Sequence, residues 1–210
     1  MSARSSTRSA SRMDISVENN VREVAALARD AYGEIDLWFS NAGRTGPSLP
    51  ADLADNALWE SLWGVHVMSH VYAVREVLPA MLRRGDGYLL QTASLIAMAT
   101  EADKAAYSVT KHAALALAEW LAVNYRRKGS KVSCFCPGPM LTSMLRAEDY
   151  PDDHPVIQRA RTPGQVADQL VQAIDQEHFL IVDSPVGQES LGSKSTDYEA
   201  WIDRLAVRFG

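Results

Sequence analysis

The residues richest in chemistry are Tyr107-Ser-Val-Thr-Lys111, with Ser94 thirteen positions before the tyrosine. On a helix, a tyrosine and a lysine four positions apart lie on one face, one turn apart, so an ammonium can approach the phenol. A phenol ordinarily ionises near pH ~10. A positive charge about 4 Å away, at an effective dielectric of about 20, is worth roughly 4 kcal/mol, or about three pKa units. The spacing thus predicts a tyrosine able to trade protons near neutrality. Alone, the pattern is common on surface helices as an exposed aromatic beside a solvated lysine, so the surrounding elements decide.

Residues 87–94, Gly-Tyr-Leu-Leu-Gln-Thr-Ala-Ser, read as an apolar strand ending in hydroxyl residues, and Ala105 to Arg126 reads as an almost wholly apolar helix. Ser94 then stands at a strand's carboxyl end, where open α/β sheets bind ligands. The rest of the chain alternates in the same way. A brief strand at Arg12 to Ile15 precedes a helix capped by Ser16, with Val21, Val24, Ala25, Leu27, Ala28 and Ala31 at helical spacing and Gly33 at its end. Ile35 to Ser40 reads as a buried strand and Asn41-Ala42-Gly43 as its turn. A long helix follows from Leu58 to Leu82, stopping near Gly85. Strands are predicted at Lys131 to Cys136 and Phe179 to Val182, and Thr162-Pro-Gly-Gln165 as a capping box that opens another helix. Strand and helix in alternation predict a parallel α/β sheet in one domain, residues 13–210. Ser143 to Arg161 mixes Met144, Leu145, Tyr150, His154, Val156 and Ile157 with proline and acidic residues, which suits a lid over a pocket.

Asn41-Ala42-Gly43 after a strand, Ser94, Tyr107 with Lys111, and Pro137-Gly138 followed by Thr142 occur in an order and spacing that resemble the short-chain dehydrogenase/reductase family. The resemblance implies a Rossmann-like doubly wound parallel sheet and hydride transfer between NAD or NADP and an alcohol or carbonyl. It implies Tyr107 as general acid in reduction and base in oxidation. Lys111 would lower the phenol's pKa and bond the nicotinamide ribose, and Ser94 would polarise the carbonyl. Asp14 would meet the adenine amino group, the Asn41, Ala42 and Gly43 backbone the adenosine ribose, and Pro137, Gly138, Met140 and Thr142 the nicotinamide end. His66 stands where the family usually has a catalytic asparagine. An imidazole there could hold a water and keep a proton relay, or be an ordinary helix histidine.

Two features depart from the family's pattern. His66 is one. The other is the lack of a T-G-x-x-x-G-x-G turn: in its place residues 1–12 form a polar Ser/Arg head without apolar periodicity. The head is expected to be disordered, with a junction near Met13-Asp14 that a misplaced start, a frameshift or a truncation would produce; a targeting segment is disfavoured by the lack of an apolar face. Without the family's first β-α-β unit, the Ile35 to Ser40 strand would have an unpaired edge, so poor solubility or marginal stability is expected. The alternative reading is an inactive relative unable to bind cofactor, at most a packing partner of full-length subunits. The residues that would distinguish NAD from NADP are not in this sequence.

Composition sets the outer limits. The 210 residues are 47% hydrophobic with a net charge of −5, suited to a soluble domain and offering no electrostatic footprint for nucleic acid or an anionic membrane. No apolar run approaches the ~20 residues that span a bilayer. Cys134 and Cys136, two apart on a strand, point to one face and make a poor bridge, so free thiols in a reducing, cytoplasmic setting are expected. No metal is expected. The substrate reads as a small, moderately hydrophobic alcohol or ketone, and two helices apolar around most of their circumference suggest a homodimer or homotetramer.

Overall fold

Four runs rich in β-branched, aromatic or aliphatic residues pair in chain order: β1 (Leu37–Ser40), β2 (Gly87–Thr92), β3 (Ser130–Cys136) and β4 (Leu180–Val182). All three pairings are parallel, with Leu37 opposite Tyr88, Gly87 opposite Ser130 and Cys134 opposite Leu180. The computed structural model that shows this describes residues 12–209; the Ser/Arg head lies outside them, Arg12 apart. Parallel pairing requires a crossover between successive strands. While α1 (Glu18–Tyr32) precedes β1, these crossovers carry α2 (Asn56–Trp63) and α3 (Ser69–Arg84), then α4 (Ala105–Tyr125), then α5 (Ser143–Arg146), α6 (Pro155–Arg159) and α7 (Pro163–Asp175), and α8 (Pro185–Thr196) and α9 (Tyr198–Phe209) follow β4.

Helices cover both faces of the sheet. On one, Leu89 and Val132 pack with Ala25 of α1, Val77, Leu78 and Met81 of α3 and Leu121 of α4, while Cys134 and Cys136 meet Ala114 and Ala118 of α4. On the other, Leu90, Phe135 and Ile181 pack with Val166 and Leu170 of α7. Both faces of β2 and β3 are therefore apolar, as strands buried on two sides require. β1 is one edge of the sheet, and its Leu37 and Phe39 are exposed.

The structure corrects several local expectations. Arg12 to Ile15 is not a strand, because Asp14 is engaged locally: its Oδ1 accepts the backbone N–H and hydroxyl of Ser16 at 2.9 and 2.7 Å. With Ser16 tied back in this turn, the cap position of α1 falls to Val17. The long helix after Asn41-Ala42-Gly43 is continuous from Asn56 to Arg84, but a π-helical turn at Gly64–Met68 divides it. A side chain at Gly64 would crowd Ser16, with a Cβ 3.2 Å from Ser16 Cβ. The 143–161 segment contains α5 and α6, and α8 and α9 were not foreseen. The remaining predicted elements are present with ends shifted by a residue or two, and the Thr162–Gln165 capping box forms as expected.

Candidate active site

β2 runs out at Thr92, and Ser94 follows at the sheet's carboxyl edge, held extended by Leu95 N–H to Pro137 O at 2.8 Å. Ser94 Oγ caps a short 3₁₀ turn at Leu95–Ala97 by accepting the N–H of Ile96 at 3.1 Å. That turn packs against α4, and the Ser94 hydroxyl is near enough to the Tyr107 hydroxyl to favour its ionised form. The strand end and the helix thus bring two hydroxyls of the predicted trio together.

Lys111, one turn on, is only 5% exposed, and its Nζ lies 5.7 Å from the centroid of the Tyr107 ring. Burial lowers its pKa to about 8, against the opposite pull of Cys134 and Cys136. Tyr107 departs from the sequence expectation: burial raises its pKa, with the Ser94 hydroxyl acting the other way, Glu101 and Glu148 raising it further and Lys104 lowering it. Lys111 is not among the leading influences on the phenol here. Its ammonium lies over the face of the ring, and burial weakens the very charge that was expected to act.

His66, on the π-helical turn, is 1% exposed and both its nitrogens are engaged: Nδ1 lies 2.9 Å from Thr110 Oγ1, and Nε2 lies 2.9 Å from the carbonyl of Arg44. With the proton on Nε2 the ring donates to Arg44 O, and the single hydroxyl proton of Thr110 is then shared between Nδ1 and Ala106 O, which lies 2.8 Å away. Burial first, then the Lys111 charge, lowers its pKa to about 3. His66 therefore joins the loop after β1 to the helix of Tyr107, and it is edge-on to that ring, with centroids 5.5 Å apart. One turn further, His70 is equally buried and likewise depressed to about 3, by burial, then Lys111, with Gln91 of β2 opposing.

The residues expected near a cofactor border the same edge of the sheet. Asn41, Ala42 and Gly43 are exposed; Asn41 Oδ1 accepts from Thr92 Oγ1 at 3.0 Å, and a Cβ at Gly43 would come within 3.5 Å of Lys111 Nζ and 3.7 Å of His66. Asp14 is exposed and feels the charge of Arg44, which places it by this loop. Pro137 follows β3, Gly138 N–H donates to Asp183 Oδ1 at 2.7 Å, Met140 bridges to Arg161, and Thr142 caps α5. The thiols of Cys134 and Cys136 are free and buried, 3.9 Å apart on the α4 face.

Sequence reasoning missed Thr110 and Arg44, which hold His66, Asp183, which holds Gly138, and the buried His70. Thr110 could have been found, since it lies on the buried face of α4 one residue before Lys111; Asp183 carried no signal, being one carboxylate after a short strand. Among the described residues, no group of histidine, cysteine and carboxylate side chains could hold a metal, and no helix is long and apolar enough to cross a membrane.

Residues 2–152 match the model of the short chain dehydrogenase family. The chain is 33% identical over 159 residues to 1-deoxy-11-beta-hydroxypentalenate dehydrogenase of Streptomyces exfoliatus, covering 72% of this chain and 56% of the relative. It is 30% identical over 172 residues to 2-(R)-hydroxypropyl-CoM dehydrogenase of Xanthobacter autotrophicus, covering 80% and 68%. The chain thus spans little more than half the length of the first of these relatives. A short chain dehydrogenase/reductase of Burkholderia phymatum, solved in complex with NAD, superposes with a TM-score of 0.78 at 25% identity, covering 90% of this chain and 75% of that one. With its strand-end serine, helix-borne tyrosine and lysine, and a family match over most of its length, the chain belongs to the short-chain dehydrogenase/reductase family.

Proposed function

We propose that this chain is an oxidoreductase that uses NAD or NADP to interconvert a small alcohol and its carbonyl compound. The observation that carries the reading is the Ser94–Tyr107 hydroxyl pair beside buried Lys111 at the carboxyl edge of a parallel sheet. In reduction, Ser94 and Tyr107 hold the carbonyl oxygen between them, and the Tyr107 hydroxyl gives its proton to that oxygen as charge develops there. In oxidation the same phenol oxygen takes the alcohol proton. The nicotinamide, when bound, supplies or accepts the hydride.

The residues present fit that cofactor. Gly43 leaves open the space beside Lys111 and His66 that a side chain would narrow, and the exposed Asn41, Ala42 and Gly43 backbone and the Asp14 carboxylate border the same edge. Tyr107 and Lys111 would bond the nicotinamide ribose, and Pro137, Gly138, Met140 and Thr142 would line that end. His66 acts as a positioning residue, because both of its ring nitrogens are committed to Thr110 and Arg44.

Fluorescence titration of the 210-residue chain with NADH and NADPH tests the reading. Saturable binding is expected, weakened at least about tenfold in Lys111→Ala, the loss of a charge-assisted hydrogen bond being worth roughly 1.5–3 kcal/mol. No binding by folded protein would favour the inactive-relative reading instead.

Val109, Trp120 and Val123 repeat at helical spacing along the exposed face of α4. This supports a homodimer or homotetramer closed through that helix. Light scattering coupled to size exclusion should give a multiple of 23.1 kDa, and Trp120→Glu with Val123→Glu should return the monomer. A monomeric parent protein would remove this proposal. The free thiols suit a reducing, cytoplasmic compartment.

A further inference from the structure

We propose that Lys104 and Glu148 form a buried ionic latch that holds the 143–161 segment closed against the catalytic helix, so that substrate entry requires the latch to open. The proposal deepens the dehydrogenase reading, since the substrate concerned is the one that meets Tyr107.

The base of the segment is fixed. Leu141 N–H donates to Arg161 O at 2.9 Å and Arg161 N–H to Pro139 O at 3.1 Å, so the two ends of the segment meet. The Arg161 guanidinium then donates to Asp183 O at 2.9 Å, anchoring that base to the end of β4. Between these ends the segment is held lightly. Neither α5 nor α6 buries a residue, and Tyr150 stacks on His154 within the segment itself, centroids 4.3 Å apart. An element with so little buried apolar contact belongs to the low-stability end of a fold, from which lids are drawn.

Glu148 provides the tie at the tip. Its Oε2 lies 2.6 Å from Lys104 Nζ, with the side chains 16% and 7% exposed. The pair joins this segment to the start of α4. Lys104 is the cap residue of α4, one turn before Tyr107, and that turn is itself held by Ala105 N–H to Leu49 O at 3.3 Å. Glu101, Tyr150 and Tyr107 also face Lys104. A latch here is therefore coupled to the helix end that places the catalytic phenol. Breaking such a pair from one side leaves the other charge buried without its partner, which favours the open segment.

The exposed Arg146 lies two residues before Glu148 and reports on the segment. In time courses with an arginine-specific protease, fragments identified by mass, Glu148→Gln and Lys104→Met are each expected to speed cleavage after Arg146 at least about tenfold, the size of effect that a loss of 1.4 kcal/mol or more in closure produces. Cleavage at arginines outside the segment should keep its native rate. The exchanged pair, Lys104→Glu with Glu148→Lys, introduces no arginine and should bring the rate back towards the parent's, which a global loss of folding would not allow. An unchanged rate in Glu148→Gln, or an exchanged pair no slower than the single variants, would overturn the latch. NADH binding by the parent chain judges the dehydrogenase reading separately.

Discussion

Tyr107→Phe is expected to lower kcat/KM about a thousandfold for any ketone this chain reduces, because a positioned general acid contributes roughly 10²–10⁴ to rate, while NADH binding weakens by no more than about tenfold, the size of one lost neutral hydrogen bond to the ribose. The change removes one oxygen from a largely buried ring. It leaves the edge contact with His66 in place, and Ser94 keeps its hydrogen bond from Ile96 N–H. The melting transition should therefore stay close to the parent's, and cofactor affinity should fall far less than the rate, as the chemical step collapses. The raised pKa of Tyr107 keeps the phenol protonated through neutral pH in the cofactor-free chain, so the reductive direction finds its acid already loaded. Initial rates against ketone concentration, with NADH titrations of both proteins, are the measurement. A Phe variant retaining more than about a tenth of the parent's kcat/KM would sink Tyr107 as the proton donor.

The second large effect is on stability in acid. His66 and His70 are held neutral in the folded protein, each with a pKa of about 3 against 6.5 for an unperturbed imidazole. Between those values the unfolded chain binds more protons than the folded one, so stability is full above pH ~6.5 and falls as pH drops towards 3. A shift of that size corresponds to as much as about 5 kcal/mol for each ring, and two such losses approach the whole stability of an ordinary domain, about 5–15 kcal/mol. Cooperative acid unfolding is therefore expected before pH 3, at roughly pH 4–5. His70→Leu should move the midpoint lower by about half a unit or more, because the replacement has no proton to gain. Circular dichroism during acid titration of both proteins checks this, and an identical midpoint would remove His70 as a cause. Lys111, with its pKa lowered to about 8, acts in a separate window: its burial penalty is largest below pH 8 and fades as pH rises towards 10.5.

The parts of the site carried by local pattern were legible in the sequence. Ser94 was placed by the end of an apolar strand, Tyr107 and Lys111 by helical spacing on an apolar helix, and Asn41-Ala42-Gly43 by the turn after a strand. What sequence could not give was the electrostatic sign at Tyr107, which depends on how deeply the ring and Lys111 are buried and on where the ammonium stands. Nor could it show that the two nitrogens of His66 are taken up by Thr110 and Arg44, since those contacts join residues far apart in the chain. Arg12 to Ile15 was misread because alternating residues imitate a strand, while the Asp14–Ser16 hydrogen bonds turn the chain instead. The helices α8 and α9 escaped notice for a different reason. Serine, glycine and lysine dilute the apolar period in α8, and the burial of Trp201 in α9 is a tertiary effect.

The wholly parallel pairing of the sheet also bears on how the molecule is assembled in time. Leu37 must find Tyr88, Gly87 must find Ser130 and Cys134 must find Leu180, each pair roughly forty to fifty residues apart. No hairpin can nucleate such a sheet, and each ladder is closed only after the entropy of a long intervening loop has been lost. Ser94, Tyr107 and Lys111, by contrast, lie within one short stretch running from the end of β2 into α4. The proton-transfer groups can therefore come together early from neighbouring sequence, whereas the loop after β1 and the turn after β3 reach their places only when the slow, distant pairings are complete.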